Sequence, residues 1–130
     1  MFILIMEKKD ETFDNLDKLF VKQIELQKKF GNIPFKGHID RQKFINLNVL
    51  ACLDELSEAL RETQWKNPNI IDFGWKQTQE FNEEKFKEEL IDLWHFIINL
   101  SIASGMNSEE LFIRFTEKNK INHIRKEHGY

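Results

Sequence analysis

Residues that break helices are confined to a few places in this chain of 130 residues. The five Gly and two Pro separate four long segments in which apolar side chains recur every three or four residues. That spacing is typical of amphipathic helices, so we predict an all-α fold, an antiparallel helical bundle of about four main helices. Twelve Phe and three Trp would supply its core, and residues 1–130 are expected to form one domain.

The limits of the four helices follow from this periodicity and from the residues at their ends. The predicted ranges are 12–30, 41–63, 82–104 and 108–127. Asp40 is expected to cap the second helix, and Asn107 with Glu110 has the spacing of a capping box for the fourth. Gly105 is expected to end the third helix in a left-handed conformation.

The segment between the second and third helices, residues 67–82, has no periodicity and contains Pro68 and Gly74. Irregular loops of this length within a domain are commonly functional. The segment is expected to cover a substrate or to be a variable insertion.

Composition excludes several classes of protein. A net charge of −3 argues against sequence-independent binding of nucleic acid, and the absence of an apolar run of about 18 residues argues against a membrane helix. The single cysteine, Cys52, excludes an internal disulfide and suits the reducing cytoplasm. Residues 1–6 lack the features of a signal peptide and are interpreted as folded structure or a subunit contact. Long apolar faces on few helices favour a homodimer or a higher homo-oligomer.

Two pairs of carboxylates, each three residues apart, border the apolar faces of the second and third helices. The pairs are Glu55 with Glu58, and Glu89 with Asp92. Each pair alone is also typical of a solvated helix face. Four converging carboxylates would repel one another unless a divalent cation neutralised them, and Mg²⁺ prefers such hard oxygen ligands. Together the pairs favour a Mg²⁺ site for phosphate chemistry.

Basic residues are concentrated on the fourth helix. Lys118, Asn122 and Arg125 recur at i, i+4 and i+7, so their side chains share one face and could bind phosphates. The alternative is that cations simply stabilise the end of the helix through its dipole.

These motifs resemble those of the all-α nucleoside triphosphate pyrophosphohydrolases, the MazG-like superfamily, whose signature is E-x-x-E followed by E-x-x-D. Within it, the chain is most similar to the dimeric dUTPases of bacteria, phages and kinetoplastids. The matching stretches are Leu19-Phe20-x-x-Gln23, Glu89-Leu-Ile-Asp92-x-x-His95-Phe96, Lys118-Asn-Lys-Ile-Asn122-His-Ile-Arg125 and Gly129-Tyr130.

The resemblance implies hydrolysis of dUTP to dUMP and pyrophosphate. It implies that Mg²⁺ is held by Glu55, Glu58, Glu89 and Asp92. Glu55 would also orient the attacking water. The remaining implied roles are phosphate binding by Lys118 and Arg125, and nucleoside contacts by Gln23, Asn122 and Trp65, with Trp75 as the alternative aromatic.

Three other functions remain open. The first is a MazG-like pyrophosphohydrolase with another base preference. The second is a di-iron bundle, suggested by Asp92-x-x-His95, although such sites use two E-x-x-H motifs on separate helices. The third is a non-catalytic helical interaction module.

His95 is interpreted as a hydrogen-bonded core residue or as a residue that orients the acids.

Overall fold

The structure is a computed structural model that describes residues 12–72, 74–77 and 79–129. Within these ranges it contains four helices and no strand, which confirms the predicted all-α fold. The helices are α1 (Asn15–Lys29), α2 (His38–Arg61), α3 (Glu83–Ala103) and α4 (Ser108–Glu127). None of these helices is long and apolar enough to cross a bilayer. The apolar segment 1–6 lies outside the described residues.

The ends of the helices agree with their predicted limits to within three residues, with one wrong cap. Helix α2 begins at His38 after Gly37, so Asp40 lies in its first turn instead of preceding it. The Asp40 carboxylate reaches back and accepts a hydrogen bond from the backbone N–H of Lys36 at 3.0 Å. An aspartate near a helix start can therefore satisfy a backbone donor without being the N-cap.

Side chains cap the N-terminus of α1 and the N-terminus of α4. Helix α1 begins with an unpredicted capping box, in which the carboxylates of Asp14 and Asp17 each accept from the other's backbone N–H. Asn107 caps α4 by accepting from the N–H of Glu110 at 2.8 Å, as predicted. Gly105 follows α3 with a φ of 98°, the left-handed conformation expected of it.

The core lies where α1 meets α3. Its buried apolar side chains are Phe20, Ile24, Ile33, Ile98 and Ile102. Helix α3 is central, since it packs along α2 on one side and against α1 on the other. Helix α4 packs against α1, where the Ser108 hydroxyl donates to the Asp17 carboxylate.

Helical spacing predicts that α2 buries an apolar stripe, and this prediction is only partly correct; the residues of the predicted stripe are Ile45, Val49, Cys52, Leu56, Ala59 and Leu60. Val49, Leu56 and Leu60 are exposed, whereas the buried face contains Phe44, Asn48 and Ala59. The face is displaced because Asn48 is buried through hydrogen bonds that hydrophobicity does not reveal.

Helix α3 is apolar almost all round from Leu93 to Ala103, which predicts that it is the most buried helix, but its burial is also only partial. Ile91, Trp94 and Ile97 are exposed on it, while Ile98 and Ile102 are buried. A large apolar surface is therefore uncovered in the single chain.

We predict that Phe20→Ala lowers the free energy of unfolding by about 3–5 kcal/mol, because this fully buried ring would leave a cavity in the core. Urea unfolding followed by circular dichroism measures the change. Phe30→Ala, at a ring that is 66% exposed, is the control and should cost less than about 1 kcal/mol. Equal losses for the two variants would contradict the position of the core.

Candidate metal centre

Three carboxylates come together between α2 and α3. Glu55 and Glu58 lie one turn apart on α2, and Glu89 faces them from α3. One oxygen from each of the three lies within 4.8 Å of the others, and all three residues are half-buried. The packing of α2 along α3 thus forces like charges together, which is unfavourable unless a proton or a cation intervenes.

The acid–base behaviour of the group reflects this crowding. The pKa of Glu58 is raised above its ordinary value, chiefly by a hydrogen bond with the Glu89 carboxyl and then by the charge of Glu89. The pKa of Glu89 is also raised, chiefly by a hydrogen bond with Glu55, which outweighs an opposite effect from Glu58. In the absence of a metal, the group therefore retains protons more readily than isolated carboxyls do.

One oxygen of the group has no partner. Glu55 Oε2 is buried and makes no hydrogen bond within the described part of the chain. A buried carboxylate oxygen is normally paired, because the loss of its hydration is costly. A divalent cation with hard oxygen ligands would satisfy this oxygen and neutralise its neighbours, so the donor set fits Mg²⁺.

Asp92, the fourth acid of the predicted set, lies about one turn beyond Glu89 on α3 and is exposed. It is outside the group of three carboxylates that lie within 4.8 Å of one another. Its charge nevertheless contributes to the raised pKa of Glu89, so it belongs to the same electrostatic environment.

The two aromatic candidates for a base pocket are neighbours. The rings of Trp65 and Trp75 meet edge to face with their centroids 4.8 Å apart. The Lys66 ammonium lies 5.0 Å from the Trp65 centroid and 5.9 Å from that of Trp75. The sequence presented these tryptophans as alternatives, but the fold brings them into one cluster.

The segment that carries Trp75 is irregular, as predicted, and folds back on the end of α2. The Gln79 amide donates to the carbonyls of Arg61 and Thr63. The Asn82 backbone N–H donates to the Glu62 carbonyl at 3.0 Å. These bonds satisfy carbonyls at the helix end and hold the described part of the segment beside α2.

Gln23 lies in the interior, where both ends of its side-chain amide are engaged. Its Nε2 donates to Asn99 Oδ1 at 2.7 Å, and its Oε1 lies 2.9 Å from His95 Nδ1. Asn99 in turn donates to Asn48 at 2.9 Å. The sequence analysis missed Asn48 and Asn99, although an Asn within the apolar run 93–103 is the signal that could have indicated a buried polar network.

The basic face of α4 lies on a different helix pair from the carboxylates. Lys118, Asn122 and Arg125 are exposed on the second half of α4, whose main packing partner is α1. The acids instead lie between α2 and α3.

Residues 15–111 match the model of a family described as dUTPase. The chain belongs to this family. The predicted likeness to all-α pyrophosphohydrolases is thereby confirmed. No solved structure shows significant similarity to the chain.

Curated relatives of the chain come from phages. A dCTP pyrophosphatase of Enterobacteria phage T4 is 35% identical over 89 residues, 63% of this chain and 52% of the relative. A DNA replication protein of the same phage is 34% identical over 79 residues, 55% of this chain and 20% of the relative. A dCTP pyrophosphatase of Enterobacteria phage LZ5 is 41% identical over 58 residues, 42% and 34% of the two chains. The chain thus spans about half or less of the length of these relatives.

We predict that Mg²⁺ raises the melting temperature of the wild-type protein by about 5–10 °C at a hundredfold excess over its dissociation constant. Glu89→Gln should abolish the increase, because it removes one charged ligand from the group. Glu88→Gln, at the exposed neighbouring position, is the matched control and should retain it. An unchanged Mg²⁺ effect in Glu89→Gln would exclude this group as the binding site.

The raised pKa values of Glu58 and Glu89 also predict two opposite trends with pH: one in the stability that these carboxyls contribute without metal, the other in the stabilisation by Mg²⁺. Without metal, their contribution to stability is present below the ordinary carboxyl pKa and is lost as pH rises through the raised values. Mg²⁺ requires the deprotonated group, so the stabilisation it provides should grow over the same interval. Differential scanning fluorimetry at stepped pH, with and without Mg²⁺, measures both trends. A Mg²⁺ effect that is constant across the interval would contradict this explanation.

Proposed function

We propose that the protein is a Mg²⁺-dependent pyrophosphohydrolase of pyrimidine deoxynucleoside triphosphates, which releases the monophosphate and pyrophosphate. The observation that carries the proposal is the group of Glu55, Glu58 and Glu89, in which one buried oxygen has no hydrogen-bond partner among the described residues. Membership of the dUTPase family supports the same conclusion. On this proposal residues 1–130 act as one catalytic domain in the cytoplasm.

The family description supports dUTP as the substrate, and dUTP is our first candidate. The second candidate is dCTP, because two of the relatives are named dCTP pyrophosphatases. The two bases share a ring and differ at position 4, so one pocket with few polar groups can accept either.

In the proposed reaction a water oxygen bonds to phosphorus while the α–β phosphoanhydride bond breaks, and pyrophosphate leaves. Bound Mg²⁺ would polarise a phosphoryl oxygen and stabilise the charge that develops there. Glu55, Glu58, Glu89 and Asp92 would hold the metal. Glu55 would also orient the attacking water and accept its proton.

The rest of the site would bind the substrate. Lys118 and Arg125 would neutralise the phosphates, and Asn122 would contact the nucleoside. Trp65, adjoining Trp75 and Lys66, offers a face on which a base can stack.

We further propose that the protein works as a homodimer, in which a second copy covers its exposed apolar side chains. On α2 these form a row with helical spacing: Val49, Leu53, Leu56 and Leu60. Helix α4 exposes Phe112, Ile113, Phe115, Ile121 and Ile124. Dimerisation would bury this surface and could bring α4, with its phosphate-binding side chains, to the carboxylates of the other copy.

The dimer is tested by light scattering coupled to size exclusion. Leu53→Asp places a charge in the middle of the row and should convert a dimer of the wild type to a monomer. Lys18→Asp, at an exposed position on α1, is the control and should leave the dimer intact. A wild-type monomer at micromolar concentration would refute this part of the proposal.

The activity is tested by pyrophosphate release from separate dUTP, dCTP, dTTP, dATP, dGTP and UTP reactions with Mg²⁺. We expect release from dUTP, with dCTP as the only comparable substrate. Glu89→Gln should lower kcat by more than about 100-fold, since loss of a direct ligand should exceed the effect of losing an outer partner. Glu88→Gln should stay within about twofold of the wild type.

Each outcome separates the remaining alternatives. Release from purine or from many nucleotides would indicate a general pyrophosphohydrolase, and release that survives Glu89→Gln would refute the proposed metal centre. No release from any nucleotide would leave a non-catalytic helical interaction module.

A further inference from the structure

Four polar side chains form a hydrogen-bonded chain across α1, α2 and α3. Asn48 of α2 joins Asn99 of α3 at 2.9 Å, and Asn99 joins Gln23 of α1 at 2.7 Å. Gln23 then lies 2.9 Å from Nδ1 of His95 on α3. The two asparagines and the glutamine are each less than 8% exposed, whereas His95 lies at the surface end of the chain.

The direction of every bond in this chain follows from its buried end. Asn48 meets the backbone carbonyl of Phe44 at 2.8 Å, and since a carbonyl only accepts, the Asn48 atom there is Nδ2. The opposite atom, Oδ1, must therefore accept from Asn99 Nδ2. By the same reasoning Asn99 Oδ1 accepts from Gln23 Nε2, which leaves Gln23 Oε1 to accept from His95.

This polarity fixes the tautomer of His95. Its Nδ1 must carry the proton, so in the neutral ring Nε2 is an acceptor. No hydrogen bond to Nε2 is present among the residues that the structure describes. The buried amides thus hold one outward-facing acceptor in a set orientation.

His95 and Gln23 border a cavity of about 450 Å³ between α1 and α3. Apolar side chains form most of its wall: Leu16, Leu19, Ile91, Trp94 and Ile98. A largely apolar cleft with a few oriented polar groups is the usual form of a small-molecule site, and this volume is within the range of such sites.

The position of His95 relative to the acids suits one nucleotide. On α3 it follows Glu89 by six residues, a rise of about 9 Å along the helix axis. That rise is comparable with the reach of a nucleoside from its α-phosphate to the edge of its base. The same six residues also turn the helix by about 120°, so Glu89 faces α2 and His95 faces α1, and a nucleotide with its phosphates at the carboxylates would have to cross α3 obliquely to present its base to His95.

We infer that His95 Nε2 accepts a hydrogen bond from an N–H of the pyrimidine base, and that Gln23, Asn99 and Asn48 are positioning residues that set its tautomer. The donor is N3–H in uracil and the 4-amino group in cytosine. This inference rests on the proposed function and identifies the protein atom that binds the base. It gives the base contact to His95 and a supporting role to Gln23, in place of the direct contact of Gln23 and the stacking on Trp65, because Trp65 follows the end of α2 on the far side of the carboxylates from His95.

Two substitutions of His95 separate the outward atom from the inward one. In His95→Asn, the short amide can still donate to Gln23 but has no atom at the position of Nε2. In His95→Gln, the longer amide can place an acceptor at the position of Nε2 but loses the donor to Gln23. The first variant should keep the melting temperature of the wild type, and the second should lower it.

The probes are dUTP and N3-methyl-dUTP for hydrolysis, and the non-hydrolysable α,β-imido analogue of dUTP for binding with Mg²⁺. We expect the wild type to prefer dUTP over the methylated nucleotide by about 10-fold or more in kcat/KM, the value of one hydrogen bond. In His95→Asn the preference should fall to about twofold, with KM raised about 10-fold and kcat little changed. His95→Gln should retain the preference.

Imidazole ¹⁵N NMR measures the tautomer directly, and the His95 signals are identified by their loss in His95→Asn. We expect the Nδ1–H form in the wild type and a shift to the Nε2–H form in Gln23→Leu. A wild-type Nε2–H form, or an unchanged preference for dUTP in His95→Asn, would overturn the inference.

Failure of the proposed function has a different signature. A wild type that binds the imido analogue in a His95-dependent way but hydrolyses no nucleotide would refute the enzyme and retain the base contact. A wild type that hydrolyses dUTP with no role for His95 would refute the base contact and retain the enzyme.

Discussion

The packing of α2 along α3 is the constraint on which the rest of the molecule depends. It places Glu55 and Glu58 against Glu89, so the fold holds like charges together that would otherwise separate. The raised pKa values of Glu58 and Glu89, together with the unpaired oxygen of Glu55, are consequences of that one contact. A bound cation would offset this repulsion, so the packing supports the proposed metal chemistry.

The same helix pair also carries the polar chain that ends at His95. Asn48 and Asn99 join α2 to α3, and Gln23 extends the chain to α1. Buried hydrogen bonds of this kind set the register of helices that apolar contacts alone would allow to slide. The interface between α2 and α3 would therefore carry the carboxylates at which the phosphates bind. It would also orient the His95 acceptor that contacts the base. Both functions should respond together to changes in the packing of these helices.

Periodicity was sufficient to predict four helices, and i, i+3 spacing was sufficient to find the carboxylate pairs, because both signals are local in sequence. The buried face of α2 was mispredicted because Asn48 looks like a surface residue until its partner Asn99 is known. The joining of Trp65 with Trp75 likewise depends on how an irregular segment folds back, which no local pattern encodes. The separation of Lys118, on α4, from the acids between α2 and α3 also depends on which helices pack together, which spacing along one helix does not encode.

The most direct measurement is a crystal structure grown with Mn²⁺ and the α,β-imido analogue of dUTP, with data collected at the manganese absorption edge. Mn²⁺ accepts the same carboxylate ligands as Mg²⁺ and its anomalous signal locates it without ambiguity. Our account predicts a peak coordinated by Glu55, Glu58 and Glu89, with the phosphates of the analogue bound to the same ion. A peak elsewhere, or phosphates bound away from these three carboxylates, would contradict it.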